Sequence, residues 1–119
     1  MIGGNITITL QVKTMTQNGI GERVPVWHDV MDLLGWLDLS SGDSKHNSYN
    51  AKIQESTHVF VCDYKPIPGT LEIEGKTVKV KAENCRVVAN SERYDVILID
   101  NPMNLNKQLE IYLKYTGGQ

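Results

Sequence analysis

The residues best equipped for chemistry in this chain are His28, His46, His58, Cys62 and Cys85. Recognisable zinc sites bring His and Cys donors close in sequence, and a catalytic thiol needs a base within hydrogen-bond reach. Here the histidines show no i, i+2 or i, i+4 pairing and the two cysteines lie far apart. His58 and Cys62 fall on one face of a strand by parity, which would permit a Cys–His dyad; the competing reading is a half-buried, hydrogen-bonded strand histidine. Asp38, Asp43 and Glu55 surround a polar loop and could pair as carboxylates, but loops are ordinarily rich in solvated acids. No GxxxxGK[ST] or GxGxxG occurs, and Gly19-Ile20-Gly21 sits in a hairpin turn rather than before a helix. The expectation is a protein with no enzymatic activity, no metal and no cofactor.

Two features could serve binding instead. Lys79 and Lys81 project from one face of TVKVK, with Val78 and Val80 on the other. Such a row can touch phosphates or another interface. It can equally keep an edge strand from pairing with strangers, with Glu72 and Glu74 on the preceding strand neutralising it. Tyr49 sits in the middle of the polar loop, where an aromatic either anchors a protein partner or folds back on the rim of the domain. Tyr112 and Lys114 share a face, yet no second aromatic joins them to make a stacking platform for single strands.

The elements that position these residues read as strands. Residues 5–14, NITITLQVKT, alternate cleanly, with Ile6, Ile8, Leu10 and Val12 on one face. Asn18-Gly19 signals a hairpin, and Pro25 places the returning strand at an edge or a bulge. Residues 28–39, HDVMDLLGWLDL, read as a strand with a bend at Gly35. A polar loop at 40–52 follows, then a strand over 53–64 and a break at KPIPG. The second half reads as a meander: TLEIE, TVKVKAEN, CRVVAN, YDVILID, a turn at NPMNLN, and KQLEIYLKY with Leu109, Ile111, Leu113 and Tyr115 inward and a frayed GGQ tail.

Six or seven short strands in 119 residues predict one all-β domain over 1–119, a small antiparallel barrel with one long inter-strand loop. Twelve basic against fourteen acidic residues give a net charge of −2, which argues against tight, sequence-independent nucleic-acid binding. The start MIGGNITITLQ has no basic segment before an apolar run, so no secretory signal is expected. No stretch approaches the roughly 18 apolar residues of a membrane helix. Cys62 and Cys85, in apolar contexts, are expected buried and reduced in a soluble protein made inside the cell.

The order of segments resembles the head-completion proteins of long-tailed bacteriophages, also called head-closure, stopper or head–tail joining proteins. The resemblance rests on ITITLQVKTMTQNGIGERVPVW, GWLDLSSGD, ESTHVFVCDY and above all YDVILIDNPMNLNKQLEIYLKYTGG. It covers nearly the whole chain, and its motifs are structural. The family often has an Arg-Tyr-like end to the THV strand, where this chain has Cys62-Asp63-Tyr64.

The resemblance implies a β-barrel that assembles as a homo-oligomeric ring beneath the portal and adaptor of a filled capsid. Its long loop would point into the channel and its other face would dock the tail. Partners would be further copies of the chain, portal or adaptor proteins, tail proteins and loosely contacted packaged DNA, with no membrane. The protein would be made in the host cytoplasm and reside in the virion, at the head–tail connector. Asp43, Lys45, His46, Tyr49 and Lys52 of the loop would be the channel residues.

Alternatives are another small-barrel virion protein, such as a tail terminator or minor capsid protein, an OB-like nucleic-acid-binding module, and a hydrolase using Cys62 or His58. The nucleic-acid reading predicts DNA affinity that falls steeply with salt. The expected outcome is weak binding with a flat response in a salt series of fluorescence-anisotropy titrations; a steep slope would favour the OB-like module.

Overall fold

A computed structural model describes residues 2–39 and 56–118. The alternation at the start of the chain becomes β1 (Ile6–Gln17), with Ile8, Leu10 and Val12 fully buried and Thr7, Thr9 and Gln11 on the other face. Asn18 then turns the chain. Its side-chain oxygen accepts from the N–H groups of Ile20 and Glu22, and Gly21 supplies a left-handed residue at φ 86°. β2 (Arg23–Leu39) returns antiparallel to β1 from Arg23 to Gly35. An extra residue, Val30, lies between the pairs Leu10–Met31 and Gln11–Asp29, so the outward face of β2 changes parity there.

β3 (His58–Asp63) pairs with the far end of β2, Gly35 opposite Cys62 and Leu39 opposite His58. Of the expected 53–64 strand, His58–Asp63 is strand and Ser56 and Thr57 lead into it, while 53–55 lie outside the described residues. β4 (Thr70–Ile73) and β5 (Lys76–Lys79) form a separate two-stranded hairpin. It lays Leu71, Ile73 and Val78 against the core rather than continuing a meander. The TVKVKAEN strand stops at Lys79. The Asn84 side chain donates to the Lys79 carbonyl and its backbone N–H donates to the Lys81 carbonyl. These bonds wind Ala82–Asn84 into a 3-10 turn where a ladder would otherwise continue.

The last three strands, β6 (Cys85–Ala89), β7 (Glu92–Asp100) and β8 (Gln108–Gly118), do form a meander. β6 pairs with β1 and β8 pairs with β3, so hydrogen bonding closes a ring in the order β1-β2-β3-β8-β7-β6. The fold is all-β, an antiparallel six-stranded barrel. Ile97 is passed over between the pairs Val96–Leu113 and Leu98–Tyr112, which turns Leu98 outward and brings Ile99 against the core. The two glycines of the GGQ tail are not frayed as expected: Gly117 pairs with Arg93 and Gly118 with Glu92, and β8 continues because β7 extends beside it. Gln119 lies outside the described residues.

A ring of six strands encloses a narrow interior, so facing positions must alternate large and small. Phe60 is the largest fully buried side chain, and across the β2–β3 ladder Gly35 leaves it room. A Cβ at Gly35 would overlap the Val61 carbonyl and come to 2.6 Å from Phe60 Cζ and 2.9 Å from Cys62 Cβ. Gly4 packs on the backbone of Gly35 just as closely, and Asn5 N–H donates to the Gly35 carbonyl at 3.0 Å. Gly35→Ala is expected to cost about 1–3 kcal/mol by overpacking. Because the first obstacle is the Val61 backbone, trimming Phe60 to Leu should not restore stability. Urea denaturation measures both, and a Gly35→Ala midpoint equal to that of the parent would refute the packing argument.

Candidate functional site

Two regions of the barrel carry the features that no requirement of the core explains: the base of the β2–β3 connection and the outer wall of β2, β3 and β8. The channel residues expected from the resemblance, Asp43, Lys45, His46, Tyr49 and Lys52, lie outside the described residues, as do Glu55 and the rest of 40–52. What is described is where that connection leaves and returns. Leu39, 68% exposed, is the ladder partner of His58, so the chain departs and re-enters at adjacent strand positions.

The returning end is held tightly. Ser56 is fully buried, and Thr57 N–H donates to the Leu113 carbonyl at 2.8 Å. The Thr57 hydroxyl accepts from Tyr115 N–H at 2.8 Å and lies 2.9 Å from His58 Nδ1. His58, Tyr94 and Tyr115 stack in a cluster, with edge contacts of 5.2 Å from His58 to Tyr94 and 5.4 Å from Tyr94 to Tyr115. Burial, then the nearby Glu92 carboxylate, pushes the Tyr94 hydroxyl above its usual range. The cluster fixes where the connection begins and ends irrespective of what lies between.

On the outer wall, the even positions of β2 present Asp32, Leu34, Trp36 and Asp38. Trp36 pairs with Val61 and through it with Glu110; Asp38 pairs with Val59, which pairs with Tyr112, which pairs with Leu98. The result is an apolar band across four strands. Leu34 is 54% and Trp36 48% exposed, while Asp32, Asp38, Asp63 and Glu110 share the β2–β3–β8 face. The Trp36 indole donates to the Ile2 carbonyl at 3.2 Å, and Ile2 N–H donates to Asp63 at 2.7 Å, so the N-terminal segment is laced to the edge of the band. The Tyr112 hydroxyl donates to Glu110 at 2.9 Å. Burial first, then that bond and the charges of Glu110 and Asp100, push it up to about 12.

Lys79 and Lys81 are both exposed, one at the end of β5 and one before the 3-10 turn. The expected neutralisation by Glu72 and Glu74 is not laid out in the register. Lys79 faces Thr70, Glu72 takes a hydrogen bond from Thr77, and Glu74 sits in the turn at φ 51°.

His58 and Cys62 do point inward on one face, but Phe60 stands between them and four residues of strand separate them by about 13 Å. They form no dyad; His58 is instead half-buried beside Thr57 and Tyr94. Cys62 and Cys85 are free, buried thiols. Burial raises both, with Asp63 adding to the effect on Cys62, and Cys85 is pushed up to about 11.

Fold and surface together define a closed, six-stranded antiparallel barrel with an apolar outer band and a long connection anchored at one end. No protein-family model and no curated protein sequence matches the chain. Among solved structures it is similar to the solution structure of protein SF1141 from Shigella flexneri 2a, with a TM-score of 0.65 and 16% identity over 98% of this chain and 96% of that one. At that identity the likeness is one of fold. Among the described residues, no helix is long and apolar enough to cross a membrane.

Sequence reading missed the outer band and the His58–Tyr94–Tyr115 cluster. The band had a signal: consecutive apolar residues Leu33 and Leu34, with Trp36 two further on, cannot all face one core. The cluster had none, since its members come from three strands.

Cys85 and Tyr112 give the fold a signed pH dependence. In the unfolded chain the thiol ionises near 9 and the phenol near 10, while the folded protein holds those protons to about 11 and about 12. The unfolded state therefore binds fewer protons as pH rises, and native stability falls between about pH 9 and 12. Urea midpoints measured from pH 8 to 12 are expected to decline, less so in the lower part of that window for Cys85→Ser and in the upper part for Tyr112→Phe. Unchanged slopes in both variants would show that these groups are not the cause.

Proposed function

We propose that this protein is a structural subunit of the head–tail connector of a tailed bacteriophage. It would form a ring below the portal and adaptor that closes the DNA channel after packaging and offers the tail its attachment surface. The observation that carries this reading is the closed barrel whose β2–β3 connection leaves and returns at adjacent strand positions. This is the architecture the segment order of the chain implies by its resemblance to head-completion proteins. A ring closed by hydrogen bonds has no free sheet edge within it, which suits a unit that must stack beside copies of itself without aggregating.

Two further observations support an assembly role. The outer band of Leu34, Trp36, Val59, Val61, Tyr112 and Leu98 is the kind of surface that marks an interaction site on a soluble domain. The anchored base gives the connection a rigid mount at its return, Thr57 being bonded to the backbone of Leu113 and Tyr115. The reading needs neither a nucleophile nor a cofactor.

The direct test is negative-stain microscopy of the purified protein mixed with portal–adaptor complexes. An added ring on the complex is expected; its absence sinks the assignment. Replacing residues 42–50 with a Gly-Ser linker separates the channel role from attachment. Rings should still form while filled heads lose DNA, and normal retention would remove the channel role.

A further inference from the structure

β1 and β2 run on past the barrel as a two-stranded arm. The β1–β6 ladder covers only Thr9 to Val12, and the β2–β3 ladder starts at Gly35. The pairs from Lys13–Trp27 to Gln17–Arg23 are therefore bonded to each other alone. The molecule is elongated, 47 Å against 28 and 25 Å. A lone hairpin is marginal in water, and this one ends in Ile20, 80% exposed, with Met15 and Val26 each about two-fifths exposed. One outward face of the arm carries Lys13, Met15, Gln17, Arg23 and Pro25. Beside it opens a recess of about 450 Å³ lined by Met15, Thr16, Gln17, Arg23 and Lys76. Arg23 and Lys76 thus line a mainly polar recess whose one apolar lining residue is Met15. Lys13 lies on the same face of the arm, Glu22 at its turn, and Glu72 and Glu74 on the hairpin that carries Lys76.

The outer wall of β2 is its complement. Leu34 and Trp36 stand exposed among Asp32, Asp38, Asp63 and Glu110. Of the nearby cations, Lys114 lies on the outer face of β8 and Lys65 borders Leu34 and Asp63, its ammonium donating to the Asp32 carbonyl at 3.4 Å. Both surfaces lie on β2, but the 11 residues from Pro25 to Trp36 span about 36 Å of strand, so they cannot meet within one chain. We propose that the arm of one copy docks on the Leu34–Trp36 wall of the next. The contact is heterologous: a basic, Met15-floored recess receives an acidic, Trp-centred band. It leaves one arm and one wall free on every pair and so propagates until a ring closes. This deepens the connector reading and rests on it only for the ring; the contact itself follows from the two surfaces.

Two substitutions at exposed positions test it. Met15→Glu sets an acid against the acidic wall, and Leu34→Lys sets a cation against the basic recess. Circular dichroism should show both variants folded, since neither position is buried. In analytical ultracentrifugation the parent protein is expected to self-associate with rising concentration, and each variant alone should do so at least about tenfold more weakly. Mixed in equal amounts the two variants should associate more strongly than either alone, because Leu34→Lys keeps an intact arm, Met15→Glu an intact wall, and the remaining contact sets the introduced acid against the introduced cation. A parent that stays monomeric at its highest soluble concentration overturns the proposal. So do variants that associate as well as the parent, or a mixture that remains monomeric, which would indicate like-on-like contacts. No portal is present in this assay, so failure of the contact and failure of the connector reading are separately visible.

Discussion

The structure depends on how a six-stranded ring fills itself. An interior that narrow holds little more than one layer of large side chains, and Phe60 occupies its centre. Phe60 fits because Gly35 presents no side chain to it, and Gly35 in turn lets the Gly4 backbone lie against its own. The same residue is where β1, β2 and β3 meet, paired with Ile6 on one side and Cys62 on the other. Ring closure, core filling and the path of the N-terminal segment are thus one constraint. β1, β6 and β8 meet it by supplying alternate residues of modest size (Ile8, Leu10 and Val12, Val87 and Ala89, Leu109, Ile111 and Leu113), while β7 adds Val96 and the larger Tyr94.

That economy has a consequence for the surface. With the interior full, the apolar residues left over must go outside. Of the three register shifts, those at Val30 in β2 and Ile97 in β7 decide where. The first changes the parity of β2 so that Pro25 and Trp27 face out on the arm while Leu34 and Trp36 face out on the wall. The second turns Leu98 out to meet Tyr112. Bulges of this kind re-aim side chains, and here they sort the surplus into a band rather than scattering it. A scattered surplus would be ordinary; a band bordered by carboxylates is the kind of surface that marks an interaction site.

How much of this was legible in the sequence follows from the same parity rules. β1 and the Gln108–Lys114 part of β8 alternate without interruption, and their inward and outward residues are readable one by one. The Asn18-Gly19 turn and the edge position of Pro25 were equally plain, because both rest on local backbone chemistry. The end of β5 was not, since the Asn84 side chain that captures the Lys79 carbonyl acts from five residues away. Nor was the extension of β8 through Gly117, which a partner strand imposes against a poor local propensity. The interior neighbours His58, Tyr94 and Tyr115 come from β3, β7 and β8, and only the closing of the ring brings them together.

The candidate site divides along the same line. Residues 43–52 could be singled out by composition but not placed, and they lie outside the described residues. Lys79 and Lys81 are exposed but do not share a strand face, because β5 ends at Lys79; the register sets Thr70 opposite Lys79, with Glu72 its diagonal neighbour. Chemistry drawn from parity alone failed at His58 and Cys62, because a shared face says nothing of what stands between: Phe60, the residue the ring needs most, occupies the interval. The position that completes the core therefore also removes the one arrangement in this strand that resembled a nucleophile and its base. What remains distinctive is then on the outside, in an arm and a wall whose charges are opposite and whose separation along β2 exceeds what one chain can fold across.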